Sequence, residues 1–216
     1  MPMTLAFLWI LWCSVHSLLI TEQIQNWVNR QDNWLSGSYR LLYVLFSLLS
    51  LIPILLYQYT LPQQVIFSWH GWWRIPQIIL LVYAVVLFWL GSRNYDILYF
   101  LGIRQWRNHN KGVSTPKLVF CCQGIALYLR HPWYSGGLAV LWGWGPITDV
   151  SLISQVILTA YLVIGTLLEE RKLYRQLGLP YQNYCQQVPM LFPWKGKAMR
   201  CPDAPDPEKN SEIHPD

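Results

Sequence analysis

Charged side chains are scarce in this chain: they make up 12% of its 216 residues, against roughly 25% in a soluble domain. With 53% of residues apolar, that scarcity excludes an ordinary water-soluble globule. The five cysteines (Cys13, Cys121, Cys122, Cys185 and Cys201) include no C-x-x-C pair and are odd in number, which excludes a complete disulfide framework and gives no zinc spacing. No metal site is expected. Cys121 and Cys122 are adjacent, poor geometry for a bridge, and read as small packed residues. A dense basic stripe is also missing. The formal charge of +5 is spread over the segments beside apolar runs, so a nucleic-acid partner is not indicated. No internal repeat is present.

What the chain does have is long uncharged runs: residues 1–21, 41–69, 75–92, 131–148 and 150–168. Each approaches or exceeds the roughly 18 residues a membrane span requires. The expected fold is therefore an all-α integral membrane protein with five transmembrane helices and a C-terminal cytosolic helical segment. No Lys or Arg precedes the first run and no small-residue cleavage site follows it, so it reads as a retained span and not a signal peptide. Between the third and fourth spans lie Arg93, Arg104, Arg107, Lys111, Lys117 and Arg130; after the fifth lie Arg171, Lys172, Arg175, Lys195, Lys197 and Arg200. The positive-inside rule places both groups in the cytoplasm. An odd number of spans then puts the N-terminus outside, the Arg30 and Arg40 segment inside, and the Arg74 and Asp149 turns outside.

Four regions follow: a three-helix membrane part at 1–92, an interfacial or cytosolic segment at 93–123, a hairpin with its following segment at 124–193, and a disordered tail at 194–216. In the first, Cys13, His16 and Ser17 share a helical face, and Pro53 is expected to kink the second span. Tyr95, Tyr99, Phe100 and Trp106 with nearby cations suit a headgroup layer. A loop is expected at 112–116. The apolar stretch 118–129 is too short to span and reads as an interfacial helix. Spans four and five form a hairpin turned by Gly145, Pro146 and Asp149, so their far ends lie at similar depth. That brings Arg130 and His131 to Glu169, Glu170 and Arg171. Beyond them Gly178 fits a helix C-cap, Pro180 a first turn, and Tyr181 and Tyr184 one face of a short helix.

Ionisable groups beside lipid usually mark a site. Arg130 or Arg171 suits a ligand carboxylate, Glu169 or Glu170 an amine or ribose hydroxyl, and the tyrosines a cation over their rings. The set fits a zwitterionic, aromatic, cationic ligand. S-adenosylmethionine has those features, but composition does not choose it over other nucleotides. The competing reading is that these side chains snorkel, pair with one another and anchor the bundle. Gly136 and Gly137 likewise suit a packing notch.

R-H-P-x-Y-x-G from Arg130 to Gly136, then Glu169-Glu170, Gly178 with Tyr181 and Tyr184, Val188-Pro189 and Pro193, resembles the isoprenylcysteine carboxyl methyltransferase family over about residues 124–193. The resemblance implies an integral-membrane methyltransferase whose cofactor is S-adenosylmethionine, bound without a Rossmann domain; no Gly-rich dinucleotide loop is present, in agreement. Carried over by position, it assigns Arg130, His131, Tyr134, Gly136, Glu169 and Tyr181 to the cofactor pocket, and Glu170 and Arg171 to closing that pocket or orienting the acceptor. Trp12-x-x-x-His16-Ser17-Leu18-Leu19 and Tyr39-Arg40-Leu41-Leu42-Tyr43 resemble the entry segment of membrane methanethiol S-methyltransferases and of NnrU-type proteins. Glu169-Glu170 and the paired tyrosines favour the methyltransferase side.

His16 carries two readings: a hydrogen-bonded buried group, or a general base for a thiol acceptor. The reaction expected is in-line displacement, which depends on alignment and exclusion of water. The acceptor partner is a small thiol, a membrane-borne prenylcysteine carboxylate or a phospholipid amine. The NnrU-type resemblance offers the alternative of a haem-binding isomerase or nitrogen-oxide-linked protein, with His16 and His131 as axial ligands.

Overall fold

The computed structural model describes residues 2–30, 34–94, 96–111 and 123–196. The expected 112–116 loop, Cys121, Cys122, Cys201 and the tail from residue 197 onward lie outside the described residues. In lipid, backbone groups must be bonded within the protein, and the uncharged segments satisfy this as helices, one of them continuing through Pro53. Helices α1 (Pro2–Leu19), α3 (Trp34–Thr60), α4 (Arg74–Asn94, entered through a 3-10 turn at Gly71–Trp73) and α8 (Asp149–Leu177) result. All four are long and apolar enough to cross a membrane. They leave large apolar side chains exposed along their lengths, among them Phe7, Leu49, Val85 and Ile164, as a lipid-facing surface requires. The chain is an all-α, multi-pass membrane protein.

Side-chain pairs fix how the long helices run. Trp9 of α1 and Ser154 of α8 both meet Oε1 of Gln58 in α3, at 3.4 and 2.6 Å. Further along, Ser17 donates to Tyr161 at 3.3 Å, and Glu22 of the short α2 (Glu22–Asn29) pairs with Lys172 at 2.9 Å. α1 and α8 are therefore parallel, and α3 runs against them. Leu5, Trp9, Ile54, Leu61 and Val150 form the core at the Asp149 end.

The expected fourth span differs. Residues 131–148 hold α7 (Pro132–Gly143), of only 12 residues, which rises about 18 Å where a hydrocarbon core is about 30 Å thick. Gly143, Gly145 and Pro146 end it early, and the chain continues through non-helical residues to β2 (Ile147–Thr148), antiparallel to β1 (Val65–Phe67). Stopping a helix inside an apolar layer strands its last carbonyls. Two side chains meet that need, Gln155 donating to Leu141 O and Gln77 to Gly143 O, and Trp69 donates to Gly145 O just beyond the helix, each at 3.0 Å. Along α4, α7 is seated closely by small residues, with Ala84 and Ala139 buried and Gly136 facing Phe88 and Ala84.

α8 starts with a Thr148–Ser151 capping box, and its Asp149 carboxylate accepts from Gln64 N at 2.8 Å. At the other end lie α5 (Ile97–Phe100), α6 (Ile103–Asn110) and α9 (Leu179–Gln187). The described part of the expected 118–129 helix holds only a 3-10 turn at Gly124–Leu127. α6 docks on the start of α3 through Gly102, whose φ of 86° is left-handed and whose Cβ position falls 2.5 Å from Leu41 N. Gly102→Ala should therefore both strain the backbone and push α6 off α3. A loss of about 1–3 kcal/mol is expected, read as a lower midpoint for thermal unfolding in detergent.

Candidate functional site

Glu170 projects from α8 into a pocket of donors. Its Oε1 accepts from His131 Nε2 at 2.6 Å and from Tyr181 Oη at 2.7 Å. Its Oε2 meets Arg130 Nη2 at 3.2 Å and the Cys185 thiol at 3.6 Å. The side chains of Arg130, His131 and Glu170 are only 11%, 6% and 8% exposed. A carboxylate this buried is costly unless paired and hydrogen-bonded, and four donors, two from the start of α7 and two from α9, meet that cost.

The chain delivers those donors by local means. Pro132 stands in the first turn of α7, where a missing N–H costs nothing, and leaves Arg130 and His131 just before the helix. Their own N–H groups donate to Pro189 O and Met190 O, at 3.1 and 3.2 Å. The segment after α9 is thus a backbone clamp on the Arg130-His131 pair. Gly178, at φ 62°, ends α8 and lets α9 fold back; Tyr181, Tyr184 and Val188 then bury against Leu127, Leu173 and Leu177. Tyr184 anchors the arrangement by donating to Ala126 O at 2.6 Å. Burial and the Glu170 carboxylate push the Tyr181 hydroxyl up from its ordinary value, and burial does the same for the Cys185 thiol. Both remain protonated donors at neutral pH.

Around this hub the other expected residues separate. Glu169 is 43% exposed, with Oε2 3.9 Å from His131 Nδ1; Tyr134 sits edge-on to His131 at 5.6 Å and faces the Glu169 carboxylate. Gly136 points at α4 instead, a packing position and not a place among the ionisable groups. Arg171 is also apart. It is exposed on the α2 side of α8, lining an open cleft of about 260 Å³ with Glu22, Lys172 and Arg175.

His16 belongs to a second polar cluster, between α1, α3 and α8. Its Nδ1 lies 3.0 Å from Ser47 Oγ and its Nε2 2.7 Å from Tyr43 Oη. Trp12 stacks on the imidazole at 4.8 Å and Tyr161 meets it edge-on at 6.0 Å. Sequence reasoning missed Tyr43, Ser47, Tyr161 and Cys185 as members of either cluster. For Cys185 a signal existed, since it follows Tyr181 by one helical turn; for Tyr161 there was none, because nothing on α8 marks which helix it will face.

The chain is 29% identical over 193 residues to the methanethiol S-methyltransferase of Crocosphaera subtropica, covering 84% of this chain and 71% of that protein. It is 29% identical over 187 residues to methanethiol S-methyltransferase 1 of Bradyrhizobium diazoefficiens, covering 83% of this chain and 62% of that one. To nurim of Bos taurus it is 26% identical over 172 residues, 76% of this chain and 64% of that protein. The chain is a homologue of these proteins. That relationship agrees with the isoprenylcysteine carboxyl methyltransferase-like pattern of the motifs. No family model and no solved structure matches it. The similarity to the methanethiol S-methyltransferases runs through most of the chain.

Removing one partner of a buried ion pair leaves the other uncompensated, at about 3–5 kcal/mol. Glu170→Ala or Arg130→Ala should lower the thermal midpoint accordingly, whereas Arg171→Ala should leave it unchanged. Differential scanning fluorimetry of the three purified variants reads this directly. Alkylation of Cys185 by iodoacetamide at neutral pH should be slow compared with an exposed thiol and accelerate in Glu170→Ala, because the neighbouring carboxylate that disfavours the thiolate is gone.

Proposed function

We propose that this protein is a membrane methyltransferase that uses S-adenosylmethionine to methylate a small thiol. The observation that carries the reading is the Arg130 guanidinium. One of its nitrogens is held by Glu170, while its buried Nε has no hydrogen-bond partner among the described residues. A buried, charged and incompletely used fork suits a ligand carboxylate. Beside it, Glu169 and Tyr134 present a half-exposed carboxylate and an aromatic face, which suit the positive end of the same zwitterion. The donor set fits the cofactor.

Roles follow from position. Arg130 takes the carboxylate; Glu169 and Tyr134 take the cationic side; His131, Tyr181 and Cys185 hold Glu170, which in turn fixes Arg130. Glu170 is thus a positioning residue in this reading, and Arg171 serves at the exposed margin. When bound, the cofactor supplies a methyl group on a sulfonium sulfur. The chain contributes alignment and exclusion of water, in a low-dielectric setting that favours reactants whose opposite charges cancel on the way to product. The relatives named methanethiol S-methyltransferase support a small thiol as acceptor.

Orientation completes the reading. Arg30, Arg40, Arg93, Arg104, Arg107, Arg171, Lys172 and Arg175 all fall at the Glu170 end of the long helices, and Arg74 falls at the other. By the positive-inside rule the Glu170 end is cytoplasmic, with the N-terminus outside and the C-terminus inside. The methyltransferase reading is preferred to the haem alternative because both His16 nitrogens and His131 Nε2 already have hydrogen-bond partners within the protein.

Calorimetry of the full chain in detergent with S-adenosylhomocysteine should show binding that weakens by about tenfold, 1.4 kcal/mol, in His131→Ala and in Glu169→Ala. Labelled cofactor should pass its methyl to methanethiol and not to a prenylcysteine or phospholipid acceptor. Binding left intact in both variants would remove the site assignment, and no transfer to any thiol would remove the acceptor.

A further inference from the structure

The His16 cluster is polar, lies inside the bundle, and has no part in holding the methyl donor. Its hydrogen bonds fix the imidazole tautomer. Ser47 Oγ donates its proton to Tyr43 O at 2.8 Å, so toward His16 it can only accept, and the 3.0 Å contact is Nδ1–H donating to Ser47. His16 Nε2 is then the bare lone pair, and the 2.7 Å contact is the Tyr43 hydroxyl donating to it. Tyr43 Oη retains lone pairs to accept a proton from a third group. Trp12, stacked on the imidazole at 4.8 Å and 20°, is placed to stabilise it when it becomes cationic.

A path joins this pair to the donor end. Tyr161, Gly165 and Glu169 follow one another at four-residue spacing along a single strip of α8. Among the described residues, a Cβ at Gly165 would meet no atom within 4 Å, so the strip is open at that point, between the tyrosine beside His16 and the carboxylate beside His131. Helical rise makes the strip about 12 Å long. Tyr134, which faces Glu169, is within electrostatic reach of Tyr161 and Tyr43.

We propose that the space over Gly165 seats the acceptor thiol and that Tyr43 and His16 form the relay that removes its proton. The proposal rests on the methyl-transfer reading and names the acceptor half of that site. A thiol in apolar surroundings stays protonated and is a poor nucleophile, so a built-in base is required there. The thiol sulfur bonds to the donor's methyl carbon as that carbon's bond to the sulfonium sulfur breaks, with the electron pair staying on the leaving thioether. The S–H proton moves to Tyr43 Oη while Tyr43's own proton moves to His16 Nε2. After the product leaves, the imidazolium returns the proton to water by the same route. The titratable and charged groups facing the pair are Cys13 on α1, Tyr39 and Arg40 on α3, Tyr161 on α8, and Tyr134 with Glu169 beyond them.

The test uses the full chain and three variants, His16→Gln, Tyr43→Phe and Gly165→Leu, each checked for S-adenosylhomocysteine binding by calorimetry. All three are expected to bind it as the unaltered protein does. With methanethiol, His16→Gln and Tyr43→Phe should lose about 10²-fold in kcat/KM, and the remaining rate should climb about tenfold per pH unit with the thiolate fraction, where the unaltered protein levels off. With trifluoroethanethiol, a bulkier but more acidic thiol, the same variants should lose far less relative to the unaltered protein. Gly165→Leu, which replaces a helix-disfavouring residue, should lose turnover with both thiols. Equal losses with both thiols in His16→Gln and Tyr43→Phe, or no loss, would overturn the relay. Full activity of Gly165→Leu would overturn the seat. Failure of the unaltered protein to bind S-adenosylhomocysteine would instead sink the methyl-transfer reading beneath it.

Discussion

A single buried carboxylate organises the Arg130 end of this protein. Glu170 draws two side chains from the start of α7 and two from α9 to one point on α8. An ionised group at that depth is unfavourable unless every lone pair is used, so the position of α9, the turn at Gly178 and the backbone clamp on Arg130 and His131 are bound together. The R-H-P and Val-Pro elements recur in one chain for a mechanical reason: the carbonyls of Pro189 and Met190 hold the amides of Arg130 and His131.

α8 divides the bundle. One face, through Gln155, Thr159, Glu170, Leu173 and Leu177, meets α7 and α9; the other, through Ser154, Tyr161 and Lys172, meets α1, α2 and α3. Each face carries a polar cluster, and the strip from Tyr161 to Glu169 runs along the margin between them. A helix that serves two clusters couples them through rigid geometry with no moving part. The short α7 contributes as well. Because it stops at Gly143, Gln77 and Gln155 are spent on its carbonyls and Trp69 on that of Gly145 just after it, which ties α4 and α8 together away from the site.

Much of the architecture was legible in the uncharged runs, since a span must be long and apolar whatever it packs against. The approach of Arg130 and His131 to Glu170 was legible too, because the two segments form a hairpin; the non-helical residues 144–148 supply the reach that the 12-residue α7 lacks. The length of α7 was not. An uncharged run of 18 residues says that a segment tolerates lipid, but not that it stays helical, and the donors that permit an early stop come from Gln77 on α4, Gln155 on α8 and Trp69 beside α4. Equally hidden was which carboxylate of Glu169-Glu170 is buried, a matter of roughly 100° of helical rotation decided by where α9 lands.

By itself the sequence determined the class of molecule, its long helices, the end at which ionisable groups gather and the motifs that relate it to methyltransferases. These are properties of local composition and spacing, which act without reference to distant residues. Only the tertiary structure decided that Glu170 is the hub and Glu169 the open carboxylate, that Gly136 packs against α4, that Arg171 stands apart, and that His16 finds Tyr43 and Ser47 on α3. Those outcomes depend on helix rotation and on partners up to tens of residues away, which no local pattern encodes.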